Sequence, residues 1–329
     1  MSFVTPACFK NTPIDTPRHG PLQARLQCKP LGISLLAVSL AIASSNLLAA
    51  DEPAPDLTFT GHIDLVSAYY LRGATTTYGN VKPGLGNEGA DAPESRRPVL
   101  QWGADITHTN GLYAGYWASL INYSYKSLGQ SYDYYARGQT PPSDFNFQTP
   151  RSVENDFYGG YNGTIGDFGY TAGMTAYYYF NGKHSNGLET KLAASYAGVT
   201  FSAQTLLNDT VWGNRGDTYF LLNYSYALPY KITATASLGA YYYTKEGKYL
   251  GTHDPLTGTS CPRDTAFVVN GCFSGAAPVQ GGYRHLILGV SQPIGDTGVT
   301  WGLQGILGGV NRYGIRQANR IFGSISYGF

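Results

Sequence analysis

From residue 57 onward the chain alternates apolar and polar residues with period two, in runs separated by Gly-, Pro- and Asn-rich breaks. That period belongs to strands with two unlike faces. The pattern predicts strands over Leu57–Gly73, Val99–Thr109, Leu112–Tyr125, Ser152–Asn162, Phe168–Phe180 and Leu188–Tyr196. It predicts six more over Val199–Leu207, Asp217–Leu228, Ile232–Thr244, Gly282–Gln292, Val299–Val310 and Asn319–Phe329. In the last run Ile321, Gly323, Ile325, Tyr327 and Phe329 share one face, and Arg320, Phe322, Ser324, Ser326 and Gly328 the other. In the fourth, Val153, Phe157 and Tyr161 oppose Glu154, Asp156 and Tyr158.

Turn chemistry fixes register. Ala197-Gly198 pairs Tyr196 with Val199, which gathers Leu188, Leu192, Ala194, Phe201, Ala203 and Leu207 on one face. The other face then collects Glu189, Lys191, Ser195, Thr200, Ser202 and Gln204, and a one-residue slip would destroy both sets. Asn110-Gly111 reads as a two-residue hairpin turn pairing Thr109 with Leu112. That register sets Leu100, Trp102, Ala104 and Ile106 beside Gly115, Trp117, Ser119 and Ile121.

The connections alternate long and short, with long loops over 74–97, 126–151 and 245–281. Alternating loop lengths, an even strand number and an apolar face on every strand predict an all-β fold. The expected architecture is a transmembrane antiparallel up-and-down β-barrel of about 12 strands with both termini periplasmic. Trp102, Trp117 and Trp301, with the outward tyrosines, suit its interfacial girdles.

Composition agrees. Only 13% of residues are charged and 14% are aromatic, with 28 Tyr and 42 Gly. Mean hydropathy is -0.20, and after residue 50 no run approaches the roughly 18 apolar residues of a spanning helix. A membrane crossing by this chain therefore requires a closed barrel. Residues 1–50 read as a leader, with Arg25 and Lys29 before the apolar run Leu31–Ile42 and a cleavage site at Leu48-Ala49-Ala50. Residues 51–56 are a short periplasmic lead-in, and 57–329 are the outer-membrane barrel. Removing the leader takes away Lys10, Arg18, Arg25, Lys29 and Asp15, which leaves a slightly acidic chain with no nucleic-acid signature. Cys261 and Cys272, ten residues apart in a polar segment of an exported chain, read as one loop disulfide.

Three stretches in order are Val66-Ser-Ala-Tyr-Tyr-Leu-Arg-Gly73, Gly111-Leu-Tyr-Ala-Gly-Tyr-Trp-Ala-Ser119 and Glu154-Asn-Asp-Phe-Tyr-Gly-Gly-Tyr161. They fit V-S-D-Y-x-x-R-G, G-x-Y-x-G-x-W-x-S and E-x-D-x-Y-x-G-Y, and so the chain resembles the TorF-type porin family of small proteobacterial outer-membrane proteins. The resemblance covers about residues 57–200, with Ala68 in place of the family's Asp. It implies a channel and transfers no functional residue. The C-terminal Tyr327-x-Phe329 resembles the terminal signal read by the barrel-assembly machinery.

The inward faces carry the pore-lining candidates His62, Asp64, Arg72, Asp105, Glu154, Asp156, Glu189, Lys191 and Arg320. One reading sets Arg72 and Arg320 against Glu154 and Asp156 across a constriction, where they select solutes by charge. A second is an ion-paired network filling a small barrel, closed further by Tyr70, Tyr158, Tyr177, Tyr179, Tyr241 and Tyr243. A third is stacking of those tyrosines on sugar rings. Arg96, Arg97, Arg137, Arg215, Arg263, Arg312 and Arg316 fall on the outer side, for lipopolysaccharide phosphates or for loop solubility. A hydrolase needs a nucleophile beside a base. Here no Ser faces a His in register; His62 with Asp64 lacks a nucleophile, and His285 is the remaining candidate base. The expectation is a non-enzymatic porin for passive diffusion of small polar solutes, without cofactor, metal or catalytic residues. The alternative is a structural, adhesive or lipid-binding barrel acting through its loops, or less readily an outer-membrane lipid hydrolase. Partners would be membrane lipid, the assembly machinery and small solutes.

Overall fold

The computed structural model describes residues 56–76, 93–122, 125–139, 152–253, 258, 260, 280–312 and 314–329. Its strands are β1 (Leu57–Val66), β2 (Val99–His108), β3 (Leu112–Ile121), β4 (Ser152–Ile165), β5 (Phe168–Tyr179) and β6 (Gly187–Tyr196). They continue with β7 (Val199–Leu206), β8 (Thr218–Ala227), β9 (Thr233–Tyr242), β10 (Gly281–Pro293), β11 (Val299–Gly308) and β12 (Arg320–Gly328). One helix, α1 (Lys126–Ala136), follows β3. Each strand pairs antiparallel with its sequence neighbours, and β12 returns to β1, so the 12 strands close into a barrel without an edge. At the seam Gly61 and Phe329 exchange two backbone hydrogen bonds, of 2.8 and 2.9 Å. The Phe329 ring lies over Gly61, where a Cβ would come within 2.6 Å of it.

Alternation decides what each wall face meets. Phe59, Phe157, Leu192, Phe201, Ile321 and Phe329 stand outward and exposed, while Asp64, Glu154, Glu189, Lys191, Ser202 and Ser326 point inward and are buried. An apolar outer wall around a polar interior is what a barrel in lipid requires. Among the described residues no helix is long and apolar enough to cross a membrane.

Five local expectations are corrected. The first strand ends at Val66 rather than Gly73, and residues beyond it turn into the barrel. The β2–β3 hairpin pairs Thr107 with Tyr113, one residue from the expected register. Its loop is Thr109-Asn110-Gly111, with Gly111 at φ 100° and its N–H donating to the His108 carbonyl at 2.9 Å. The slip moves Trp117, Ser119 and Ile121 from the outer face to the interior, and Trp117 is only 1% exposed. It is therefore a core residue and no part of a girdle. The expected loop over 126–151 contains α1, and β4 runs on to Ile165 before a Gly166-Asp167 turn. In β10 the register shifts between Tyr283 and His285, so the extra residue Arg284 is buried alongside His285.

Candidate functional site

The candidate site is the lumen, and the chain segment after β1 organises it. Ser67 still hydrogen-bonds to β12, its N–H donating to the Gly323 carbonyl at 2.9 Å. Tyr69 then bridges to Ser95 through two backbone hydrogen bonds of 2.8 and 3.0 Å. Leu71–Gly73 is a single tight turn in which Arg72 (φ 49°) and Gly73 (φ 71°) are both left-handed. Gly73 suits that conformation, and a Cβ there would also come within 2.7 Å of the His285 side chain. Beyond the turn, Thr75 and Thr76 give both N–H groups to the Gln317 side chain at 2.9 and 3.0 Å. The Ala318 backbone closes the clasp, accepting from Thr75 Oγ1 at 2.7 Å and donating to Thr76 Oγ1 at 3.0 Å. The segment is thus pinned on both sides of Arg72.

Arg72 is the hub. Its guanidinium donates twice to Glu189 on β6, at 3.0 and 2.5 Å. It also donates to Tyr177 Oη on β5 at 3.1 Å, Gln204 Oε1 on β7 at 2.6 Å and Tyr241 Oη on β9 at 2.8 Å. Its carbon lies 4.7 Å from the Tyr219 ring centroid on β8. One side chain therefore ties five consecutive strands together across the lumen. Arg284 Nε donates to the Arg72 carbonyl at 3.0 Å, and His285 Nε2 meets the Tyr219 hydroxyl at 2.7 Å. That nitrogen is engaged by a phenol, and among the described residues no serine hydroxyl is hydrogen-bonded to the ring.

Two cavities border the segment, and Leu71 and Arg72 line both. The one on the long-loop side, about 60 Å³, is walled by Glu94, Tyr125, Trp212, Asp217, Arg284 and Arg312. The one on the short-turn side, about 80 Å³, is walled by Asp64, Gln101, Ser237, Gln304, Ser324 and Ser326. Each is lined by polar and apolar groups together and is large enough to hold water. Aromatic rings crowd the first: Tyr241 and Tyr243 stack at 4.8 Å, and Tyr177 meets Trp212 edge-on at 5.7 Å.

The sequence-derived lumen residues separate into several groups. His62 Nδ1 hydrogen-bonds to Asp64 at 2.7 Å, and Asp105 accepts from Tyr158 Oη at 2.6 Å. Glu154 accepts from Tyr179 Oη at 2.9 Å, while both oxygens of the buried Asp156 lack a hydrogen-bond partner among the described residues. Arg72 pairs with Glu189 instead of Glu154 or Asp156. Lys191 is 1% exposed, and its ammonium has no partner among the described residues. Arg320 does not join the constriction: it is exposed at the start of β12, and its guanidinium makes a long 3.4 Å contact to the Asn319 carbonyl. Cys261 and Cys272 lie outside the described residues. Tyr327 and Phe329 stand on the outer wall at the seam.

Sequence reading missed Gln204 and Tyr219 as partners of Arg72, and it placed Arg312 in a solvated loop. Arg312 is buried, paired with Asp217 and donating to the Thr244 carbonyl at 3.1 Å. The only sequence signal for these residues is inward parity or outer-loop position, which does not name a partner.

Above the barrel, α1 is anchored through Asp133, which pairs with Lys183 at 2.5 Å and His184 at 2.7 Å. Burial alone would raise the Asp133 carboxyl, but hydrogen bonds from Lys183 and His184 outweigh it and hold the group below its usual range. Among the described residues no cluster of three or more His, Cys, Asp or Glu is placed to hold a metal ion.

Solved structures with related architecture include the outer membrane phospholipase of Salmonella typhi, at 14% identity over 82% of this chain and 90% of that one, TM-score 0.35. OmpF of Salmonella typhi matches at 12% identity over 83% and 97%, TM-score 0.31. OccK5 of Pseudomonas aeruginosa matches at 12% over 84% and 68%, TM-score 0.31. Likeness at this level assigns no activity to the present chain. No curated protein sequence matches it. A family model does match, over residues 50–278, and the chain belongs to that family, Gcw_chp, described as a bacterial protein of unknown function.

Proposed function

We propose that the barrel is an outer-membrane porin that passes small polar solutes through a constriction set by Arg72. The observation that carries this reading is the pair of water-sized cavities that meet at Leu71 and Arg72, with charged and polar groups in the wall of each. A lumen built only as filler has no need of open space on both sides of one cross-piece. The mechanism is size exclusion at the Arg72 knot combined with the field of the surrounding charges. The TorF-type resemblance supports the same assignment. On this reading the leader directs export, both termini are periplasmic, and Tyr327 and Phe329 present the assembly signal. Among the described residues the exposed arginines Arg96, Arg97, Arg137, Arg215 and Arg316 are placed to face lipopolysaccharide phosphates.

A second reading, a closed barrel acting through its loops, draws on the same knot, because the Arg72 guanidinium is held by four side chains. Proteoliposome swelling separates the two. The porin reading expects uptake of the smallest sugars and amino acids, falling off steeply with solute size. Folded protein that admits no solute at all would transfer the assignment to the loops.

A further inference from the structure

Lys191 stands apart from the other buried lumen cations. Arg72 is committed to Glu189, and Arg312 to Asp217. Lys191 is equally buried, yet its Nζ has neither a hydrogen bond nor an ion pair among the described residues. An ammonium removed from water without a counter-charge is strongly disfavoured. The acid nearest along its own inward face, Glu189, is two residues away and is gripped at both oxygens by Arg72. The Arg72 knot therefore withholds from Lys191 the anion it would otherwise take.

A second unpartnered donor lies beside it. Lys191 is directly across from Gly173, Gly173 from Gly160, and Gly160 from Tyr113. Neither glycine has a side chain, and Tyr113 lies over both. Its hydroxyl is 2.4 Å from where a Cβ of Gly173 would sit and 2.8 Å from that of Gly160. The Tyr113 side chain thus reaches over two strands of floor to the strand adjoining Lys191, a spacing of about 4.8 Å. Its Oη is also buried without a partner among the described residues. Two orphaned donors, one charged, converge on the same wall, on the short-turn side of the Arg72–Glu189 pair.

We propose that Lys191 and Tyr113 form an anion subsite inside the barrel, and that its ligand is a small carboxylate. A carboxylate supplies two acceptor oxygens and one negative charge, matching an ammonium beside a phenol. It fills the role that Glu189 is denied. The subsite does not depend on conduction, since a barrel that passes nothing would still hold the anion.

The test is calorimetric titration of sodium acetate into the folded chain in detergent micelles, with ionic strength held by a bulky sulfonate. Wild type binds acetate saturably. Lys191→Met weakens binding at least about tenfold, Lys191→Arg stays within a few-fold of wild type, and Tyr113→Phe falls between them. Circular dichroism and heat-resistant gel mobility check that each variant is folded. Absence of saturable binding in wild type, or equal binding in folded Lys191→Met, would overturn the proposal. Tyr113→Phe guards against a misfolded lysine variant, because it removes only a hydroxyl that has no partner among the described residues.

Discussion

Replacing Arg72 with Ala removes a side chain that ties β5 through β9 together across the lumen. Its cost follows from burial. The Arg72 and Glu189 side chains are only 6% and 3% exposed, so solvent screening does not discount the pair. Truncating one partner of a buried ion pair leaves an uncompensated charge and costs about 3–5 kcal/mol. The hydrogen bonds to Tyr177, Gln204 and Tyr241 do not add fully to this, since hydroxyls and amides released from Arg72 can turn to water in the widened lumen. The expectation for Arg72→Ala is therefore a loss of about 3–5 kcal/mol, measured by equilibrium denaturant unfolding in lipid vesicles. The double variant Arg72→Ala/Glu189→Ala should be more stable than Arg72→Ala alone, because no buried charge is stranded. A loss under about 1 kcal/mol for Arg72→Ala, the range of a solvated surface pair, would refute the buried-hub account.

Three further outcomes follow from other parts of the molecule. Gly61→Val pushes a side chain into the Phe329 ring at the seam and should cost about 1–3 kcal/mol and slow insertion into vesicles, read by the kinetics of gel-mobility change. Leu192→Arg, on the outer wall, should destabilise the barrel by about 2–4 kcal/mol, the cost of an arginine facing lipid near the bilayer midplane, whereas Arg215→Leu at an exposed loop position should be near neutral. The Asp133 carboxyl is held low in the folded chain, so its stabilisation of α1 is present above the unfolded value of about 3.9 and is lost as pH falls through the lower folded value. Hydrogen exchange on α1 should accelerate over that acidic window in wild type, and Asp133→Asn should remove this dependence while exchanging faster at neutral pH.

Much of the barrel is written in parity. The Ala197-Gly198 hairpin fixes its own register, and the faces read from it for Glu189, Lys191, Gln204, Leu192 and Phe201 are those of the structure. The Asn110-Gly111 turn shows the limit of that logic. The dipeptide supports a two-residue turn, but Gly111 at φ 100° serves equally in a three-residue loop, and the choice between them flipped Trp117. Alternation also ran past Val66 without a break, because a segment entering a polar lumen carries the same mix of Tyr, Leu and Arg as a strand bordering one. The helix α1 was hidden by its polar composition and Gly129, since it packs through tyrosine and charge on neighbouring loops rather than through an apolar stripe. The Arg72–Glu189 pair joins residues 117 apart, a closeness that only barrel closure creates. The bulge at Arg284 places two consecutive residues inward, which no period-two reading allows.

The most direct test of the central claim is single-channel current across a planar bilayer, comparing the wild-type chain with Arg72→Ala/Glu189→Ala. The double variant removes the cross-piece without stranding a charge, so it separates pore size from stability. The account predicts small, discrete steps for wild type and clearly larger steps for the double variant. Silence from both folded proteins, or steps of the same size, would contradict it.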